Sequence, residues 1–310
     1  MVSIKRGLNY LVSSRSQFCD SMVRNFLKFL PDKIYLSLRY RCIMGDWINW
    51  SNPQNFTQKI QWLKVYNRKE EYSLMVDKYA VKQYVANLIG SAYIIPTLGV
   101  WKNAELIDWE SLPEQFVLKT THGGGSCGVV ICSDKKTFNR KEAIAKLNRS
   151  LKQDIYSDMR EWPYKNVPRR IMAEQYIEPS DYNDSVDLSD YKFFCFSGEP
   201  IYCQVIRNRS TNETIDFYDM DWNHQEFVGL VGLDTCVVNG KNPVPRPSQL
   251  AKMVEICKSL SEGIPFVRID MYVVTGNVFF GEMTFFPASG FGYFNPAYWN
   301  NKLGELLVLK

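Results

Sequence analysis

Apolar and polar positions along the chain follow two periods. Near the N-terminus Phe18, Met22, Phe26 and Phe29 recur at helical spacing among basic side chains. Asn52-Pro53 marks a turn. Beyond it, Ile60 and Leu63 fall on one side of a predicted helix, with Lys59 and Lys64 on the other. Leu74 to Ile89 reads as one further helix, with Tyr84, Val85, Leu88 and Ile89 apolar and Gly90 as its stop. Ala143 to Leu151 is amphipathic through Ile144, Leu147 and Leu151, and Leu250, Met253, Val254, Cys257 and Leu260 form another helix face. Strand patterns cover Phe116 to Leu118 and Ile171 to Ile177. Tyr191 to Phe196 and Ile201 to Ile206 form a hairpin around Ser197-Gly198-Glu199-Pro200, and Pro265 to Phe285 forms a second one. Helices and strands mix without strict βαβ alternation and without an internal repeat, which predicts the α+β class.

The second hairpin carries chemistry. Thr275-Gly276-Asn277 is its turn signal, and a three-residue loop centred on Gly276 predicts the register. Val273 then faces Phe279, Met271 faces Gly281, Ile269 faces Met283 and Val267 faces Phe285, one continuous apolar face. On the other face Asp270 opposes Glu282 and Arg268 opposes Thr284. A one-residue slip would scatter these polar groups among the apolar ones, so the sorting itself favours this register. Directly opposed carboxylates lie roughly 5 Å apart at Cβ and repel. A divalent cation such as Mg²⁺, which takes one or two carboxylates plus phosphate, relieves the repulsion. Arg268, two residues from Asp270, is placed to hold an anion beside it.

A second signal is the strand Phe116-Val117-Leu118-Lys119, which runs into Thr120-Thr121-His122-Gly123-Gly124-Gly125-Ser126-Cys127-Gly128. Glycines let backbone N–H groups approach phosphate oxygens, and a lysine adds a point charge. The spacing is neither that of a P-loop nor that of a Rossmann fingerprint. His122, beside the glycines, is expected among the cofactor-binding residues, ordering the loop; the alternative is that it acts on the incoming amine.

Composition bounds the rest. The 310 residues suit about two domains, and 45% apolar with 23% charged residues is globular. Lys plus Arg number 37 against 33 Asp plus Glu, a net charge of +4, too small to indicate nucleic-acid binding. The excess is local: the first 45 residues carry eight basic side chains (Lys5, Arg6, Arg15, Arg24, Lys28, Lys33, Arg39, Arg41) against Asp20 and Asp32. Two readings stay open for that region, a solvated helix packed on the next domain or a surface for an anionic partner, either membrane headgroups or an acidic polymer. No apolar run reaches the ~20 residues of a membrane span, and Met1 to Phe18 lacks the apolar centre of a signal peptide, so a cytoplasmic location is expected. Eight cysteines without C-x-x-C spacing and only two histidines argue against structural zinc. The cysteines are expected to be reduced core residues.

Taken together, Asn55 to Leu63, Asp77-Lys78-Tyr79-Ala80-Val81, Phe116 to Gly125, Asp190-Tyr191-Lys192-Phe193, Val267-Arg268-Ile269-Asp270 and Gly281-Glu282-Met283-Thr284 resemble the ATP-grasp superfamily. The chain looks most like its teichuronopeptide-biosynthesis (TupA-like) branch, from about residue 50 to the C-terminus. The resemblance implies ATP clasped between two α+β subdomains: a helical basic N-terminal region over 1–73, a first subdomain with the glycine loop over 74–170, and a second with the adenine strand and metal hairpin over 171–310. It also implies that Lys119 contacts ATP phosphate and that Gly123, Gly124, Gly125 and Ser126, within the loop reaching Gly128, close over the phosphates. Backbone groups near Glu174, Gln175 and Ile177 would meet adenine. Asp190 or Lys192 would lie near ribose and phosphate, and Lys78 would supply a second phosphate-facing lysine. Asp270 and Glu282 match the Mg²⁺ carboxylates, with Thr284 where many relatives have Asn, and Arg268 matches the arginine that stabilises the reacting acyl group.

The implied activity is ATP-dependent carboxylate–amine ligation through an acyl phosphate, joining an amino acid to a hexuronic acid of a surface polysaccharide, with the basic region holding an acidic or lipid-linked glycan at the inner membrane face. Two rival readings come from other classes. Asp219-Met220-Asp221 fits the D-x-D of a metal-dependent nucleotide-sugar glycosyltransferase, and the 14% aromatic content would suit a non-catalytic glycan-binding module. The acidic stretch Glu178, Asp181, Asp184, Asp187 and Asp190 reads as a loop.

Overall fold

The computed structural model describes residues 15–125, 127–178, 190–208, 211–232 and 237–310. Four predicted features therefore fall outside it: Lys5 and Arg6, the loop residue Ser126, the acids Asp181, Asp184 and Asp187, and Cys236. Helices come first: α1 over 15–26, α2 (Asp32–Met44), α3 (Phe56–Tyr66), α4 (Glu71–Val76) and α5 (Ala80–Ile89). The stretch expected as one helix from Leu74 to Ile89 is two, broken at Asp77, whose extended backbone lets its carboxylate accept from the N–H groups of Tyr79 and Ala80. That is capping chemistry, and it turns Lys78 out of the helix line. Gly90 ends α5 at φ 102°, as expected.

A small antiparallel sheet follows, built from β1 (Thr97–Trp101), β2 (Phe116–Thr120), β3 (Val129–Cys132) and β4 (Ile171–Gln175) in the order β1-β4-β2-β3. Phe116, Leu118, Ile171 and Ala173 form its core with Leu147 of α6 (Arg140–Leu151). The boundary expected at 170/171 runs through this sheet, because Ile171–Gln175 pairs with β1 and β2. The short α7 (Ile155–Met159) lies between α6 and β4.

The larger sheet is antiparallel throughout. Its strands are β5 (Asp190–Phe196), β6 (Glu199–Arg207), β7 (Thr214–Asp219), β8 (His224–Gln225), β10 (Phe266–Val274) and β11 (Asn277–Thr284), ordered β11-β10-β5-β6-β7-β8. The predicted β5–β6 hairpin is present, turning at Ser197 and Gly198, both with positive φ. Helix α8 (Leu250–Ser261) packs on this sheet through Met253, Cys257 and Leu260, the face expected from spacing. A two-stranded ribbon, β9 (Val228–Val231) with β12 (Tyr293–Asn295), and α9 (Trp299–Leu306) complete the described chain.

Two expectations fail in the N-terminal region. Cys19 and Cys42 are joined by a disulfide, so they are not reduced core residues, whereas Cys132, Cys195, Cys203 and Cys257 are free and buried and Cys127 is free and exposed. Cys19 lies outside the core on an exposed part of α1, where α2 comes close enough to bond it. Lys64, expected on a solvated side, is fully buried. Its ammonium donates to Met159 O at 2.9 Å, Ser289 O at 2.8 Å and Ser289 Oγ at 2.8 Å, which fills its three donors. Periodicity misplaced it because α7 and the 287–290 turn cover what would otherwise be the outer side of α3. Burial pushes the Lys64 ammonium down to about 7, against the opposing pull of buried Glu161. Removing one partner of a buried charge pair leaves the other uncompensated. Lys64→Met should therefore lower unfolding stability by about 3–5 kcal/mol, read as a fall in the urea midpoint; an unchanged midpoint would contradict this account.

Candidate active site

The β10–β11 hairpin brings the chemistry together. Arg268 pairs with Thr284, Ile269 with Met283 and Asp270 with Glu282, the predicted register. Nearer the turn the register differs: Met271 faces Phe280, Tyr272 faces Phe279 and Val273 faces Val278. The loop has two residues, Thr275 and Gly276, at φ 47° and 78°, a primed turn that matches strand twist. A bulge at Gly281 supplies the extra residue and restores the predicted pairing at the polar end. A Cβ on Gly281 would lie 3.0 Å from the Asp270 carbonyl oxygen and 3.1 Å from the Tyr272 ring, so a side chain here would have to push its neighbours back by a few tenths of an ångström.

On the other flank of β10, Asp270 pairs with Lys192 of β5. Lys192, Asp270 and Glu282 thus form one row across three strands, on the same face. Asp270 is 1% exposed. Arg268 holds it with two bonds of 2.7 Å and reaches Glu282 at 3.5 Å and the Thr284 hydroxyl at 3.2 Å. Lys192 bonds Asp270 and lies 3.7 Å from Asp190, two positions along β5. Lys78 Nζ reaches Glu282 at 2.5 Å from the α4–α5 junction. Burial alone would raise the Glu282 carboxyl, but Lys78, Lys192 and Arg268 outweigh it and hold it far below the usual carboxylate range.

A second cluster lies on the small sheet. Glu174 of β4 is buried and holds two lysines: Lys119 of the neighbouring β2, and Lys82 of α5 at 2.6 Å. Its side chain is committed to lysines, while Gln175 at the end of β4 is exposed and Ile177 beyond it is half-buried. Lys82, in the first turn of α5, was missed in the sequence. The junction before α5 sends Lys78 to Glu282 on the large sheet, and the first turn of α5 sends Lys82 to Glu174 on the small one. Tyr272 was missed as well. Its hydroxyl is pushed well up by burial and then by Asp190, Glu282, Asp270 and Glu174, carboxylates of both clusters. Tyr164 is raised by burial and by Glu161 and Glu282. Both hydroxyls stay protonated and available as donors.

The glycine loop leaves β2 between these clusters. Gly124 and Gly125 open into space, whereas a Cβ on Gly128 would lie 2.1 Å from Thr120 Oγ1 and 2.5 Å from Ser150 Oγ. The loop is thus anchored where it rejoins β3 and open at its tip. Gly123 lies at the base, where a Cβ would come within 2.8 Å of Thr120 Oγ1. His122 is buried beneath the loop beside the Ser150 and Gln153 backbone, and burial lowers its imidazole below the usual value. Asp219, the first acid of the D-x-D, instead serves its own turn, accepting from the N–H groups of Asp221 at 3.0 Å and Asn223 at 2.8 Å.

Over residues 58–308 the chain matches the family model for the TupA-like ATPgrasp family. It belongs to that family. The cofactors of the family are ATP and Mg²⁺. Among solved structures it is similar to the D-alanine–D-alanine ligase from Bacillus anthracis (16% identity, 68% of this chain and 57% of that one, TM-score 0.39). It is also similar to those from Helicobacter pylori (16%, 81% and 69%, 0.41) and Coxiella burnetii (11%, 82% and 66%, 0.44). The chain thus spans just over half the length of the Bacillus anthracis enzyme. No curated protein matches it. Whether this TupA-like chain has donors for Mg²⁺ is a matter of chemistry. Among the described residues no group of three His, Cys, Asp or Glu side chains gathers for a metal. Two opposed carboxylates with a hydroxyl beside them nevertheless fit a hard cation that completes its shell with phosphate and water.

The Glu174 cluster has a pH signature. Burial alone would raise this carboxyl, but Lys119 and Lys82 hold it below its ordinary 4.5. Its stabilising effect is therefore full above the unfolded value and is lost as pH falls through the lower folded one. Glu174→Gln leaves two lysines facing each other and should lower stability at neutral pH by about 3 kcal/mol. It should also reduce the acid-induced loss below the 4.5 value. Denaturant melts of both proteins at neutral and acidic pH check this, and parallel acid losses would refute it.

Proposed function

We propose that this chain is an ATP-dependent carboxylate–amine ligase that forms an amide through an acyl phosphate. The observation that carries the reading is the opposed pair Asp270 and Glu282 on a hairpin ringed by Lys78, Lys192 and Arg268. Such a reaction must bring an anionic carboxylate to a polyanionic phosphate, and concentrated positive charge lowers that repulsion. The substrate carboxylate attacks the γ-phosphate and ADP leaves; an amine then attacks the acyl carbon and phosphate leaves. Mg²⁺ held by Asp270 and Glu282, with Thr284 beside them, supplies charge neutralisation for the phosphates. Lys119, Lys78 and Lys192 bind phosphate oxygens, and the loop from Gly123 to Gly128 covers them with backbone N–H groups. The end of β4 near Glu174, Gln175 and Ile177 meets adenine through its backbone, and Asp190 lies on the ribose side. Arg268 stabilises the oxyanion of the second step; donors of this kind are worth about 3–4 kcal/mol.

The acyl donor is a hexuronic acid of a surface polysaccharide and the amine comes from an amino acid, a choice supported by the family branch rather than by a residue contact. Dependence on ATP supports a cytoplasmic location for this reaction. The D-x-D alternative loses support because Asp219 is spent on its turn.

An ADP-release screen of amino acids against uronic-acid acceptors tests this. Wild type should release ADP only with both substrates, and Asp270→Asn should lose about 100-fold or more of that rate. Equal release by the two proteins would refute the carboxylate assignment, and UDP release from a sugar nucleotide would favour the transferase.

A further inference from the structure

Helix α1 is apolar on two opposite sides. Its inner side, with Val23 and Leu27, packs against Tyr35, Leu36 and Tyr40 of α2. Asp20 on that side is clasped by Arg39 at 2.6 and 3.0 Å, and the Cys19–Cys42 bond adds a further tie to α2. The roll of α1 is therefore set, and it points the other side outward. That outer side carries Phe18, Met22 and Phe26, followed by Phe29 in the turn, exposed by 70%, 46%, 64% and 79%. Ile34 in the first turn of α2 is 51% exposed. A helix at the surface of a water-soluble domain ordinarily turns charged and polar side chains that way.

Charge selects the occupant. Arg39 is buried on Asp20 and leaves the expected binding surface, and Lys28, though 41% exposed, is tied to Asp158. Arg15 shares the outer side by helical spacing, Lys33 adjoins Ile34, and both are exposed. The acids of the region turn inward, Asp20 onto Arg39 and Asp32 onto Arg68 and Arg160. The result is a stripe of phenyl rings with cations at its rim. An acidic polymer would engage the cations and leave the rings in water. A second copy would set like charges against each other across a two-fold axis. A bilayer with anionic headgroups satisfies both features, because rings enter the headgroup–acyl boundary while cations meet phosphate. No described helix is long and apolar enough to cross a membrane.

We propose that α1 and the turn after it dock this protein onto an anionic membrane surface, lying in the interface plane. This surface shares no residue with the Asp270–Glu282 hairpin, so it stands or falls independently of the ligase reading.

Co-sedimentation of the full chain with phosphatidylcholine vesicles, with and without phosphatidylglycerol, is the test. Wild type should pellet with the anionic vesicles, and Phe18→Ser/Phe26→Ser/Phe29→Ser should bind about tenfold more weakly or worse, since affinity follows buried apolar area. Arg15→Glu/Lys33→Glu should lose the preference for anionic vesicles, which keeps the test open if the triple variant misfolds. Hydrogen exchange should slow within 15–34 when vesicles are added. Wild type remaining in the supernatant, variants that bind as well as wild type, or a dimer in light scattering that the triple substitution abolishes without any vesicle binding would each overturn the proposal.

Discussion

Two carboxylates set directly across a sheet from one another are the constraint around which this molecule is arranged. Asp270 and Glu282 repel, and burial of Asp270 at 1% exposure removes the water that would screen them. The hairpin is tenable because cations arrive from three directions: Arg268 along the same strand, Lys192 from the neighbouring strand, and Lys78 from the break between α4 and α5. Each depends on a separate piece of folding. The Asp77 cap turns Lys78 toward the sheet, the β5–β10 pairing sets Lys192 beside Asp270, and the Gly281 bulge keeps Glu282 in line. Losing any of these misplaces a charge in a poorly solvated place, which is costlier than losing a surface contact.

The N-terminal helices are part of the same arrangement. Arg39 and Tyr35 of α2 donate to the Asp158 carbonyl at 2.7 and 2.9 Å, and Lys64 of α3 donates to that of Met159. These bonds hold the segment that continues to Glu161 and Tyr164, and the Tyr164 hydroxyl lies in the field of Glu282, Arg268 and Asp270. Lys64 also grips Ser289, five residues beyond the end of β11. The chain on either side of the polar row is thus pinned by buried hydrogen bonds from helices that carry no site residue themselves.

The polar end of the hairpin was legible because sorting of charged from apolar side chains penalises a register slip. The turn was not, since a two-residue loop plus a bulge gives the same pairing at Asp270 as a three-residue loop without one. Only the close approach around Gly281 distinguishes them, and that is a three-dimensional fact. Local periodicity likewise set the α8 face correctly, because one layer covers it. It failed at Lys64, where two later segments of chain close over a helix side that looks polar in isolation. The disulfide escaped notice because 23 residues separate Cys19 from Cys42 and nothing in their neighbours marks the approach of α1 to α2. Lys82 and Glu174 form a pair that spans a helix and a distant strand, beyond any local pattern.

Charge balance gives the arrangement its chemical sense. Around the two clusters stand Lys78, Lys82, Lys119, Lys192 and Arg268 against Glu174, Asp190, Asp270 and Glu282. The positive and negative sides nearly cancel, so the fold is not strained by a large unpaired charge. The same near-cancellation means that the polyanionic phosphates of the family's ATP would meet too little net positive charge from the side chains alone. In the ligase reading proposed above, a divalent cation on the opposed carboxylates would change that balance, and Lys78 and Lys192, which now neutralise those carboxylates, would be free of them. On that reading, the lysines that hold the hairpin together without phosphate would be the ones that bind it.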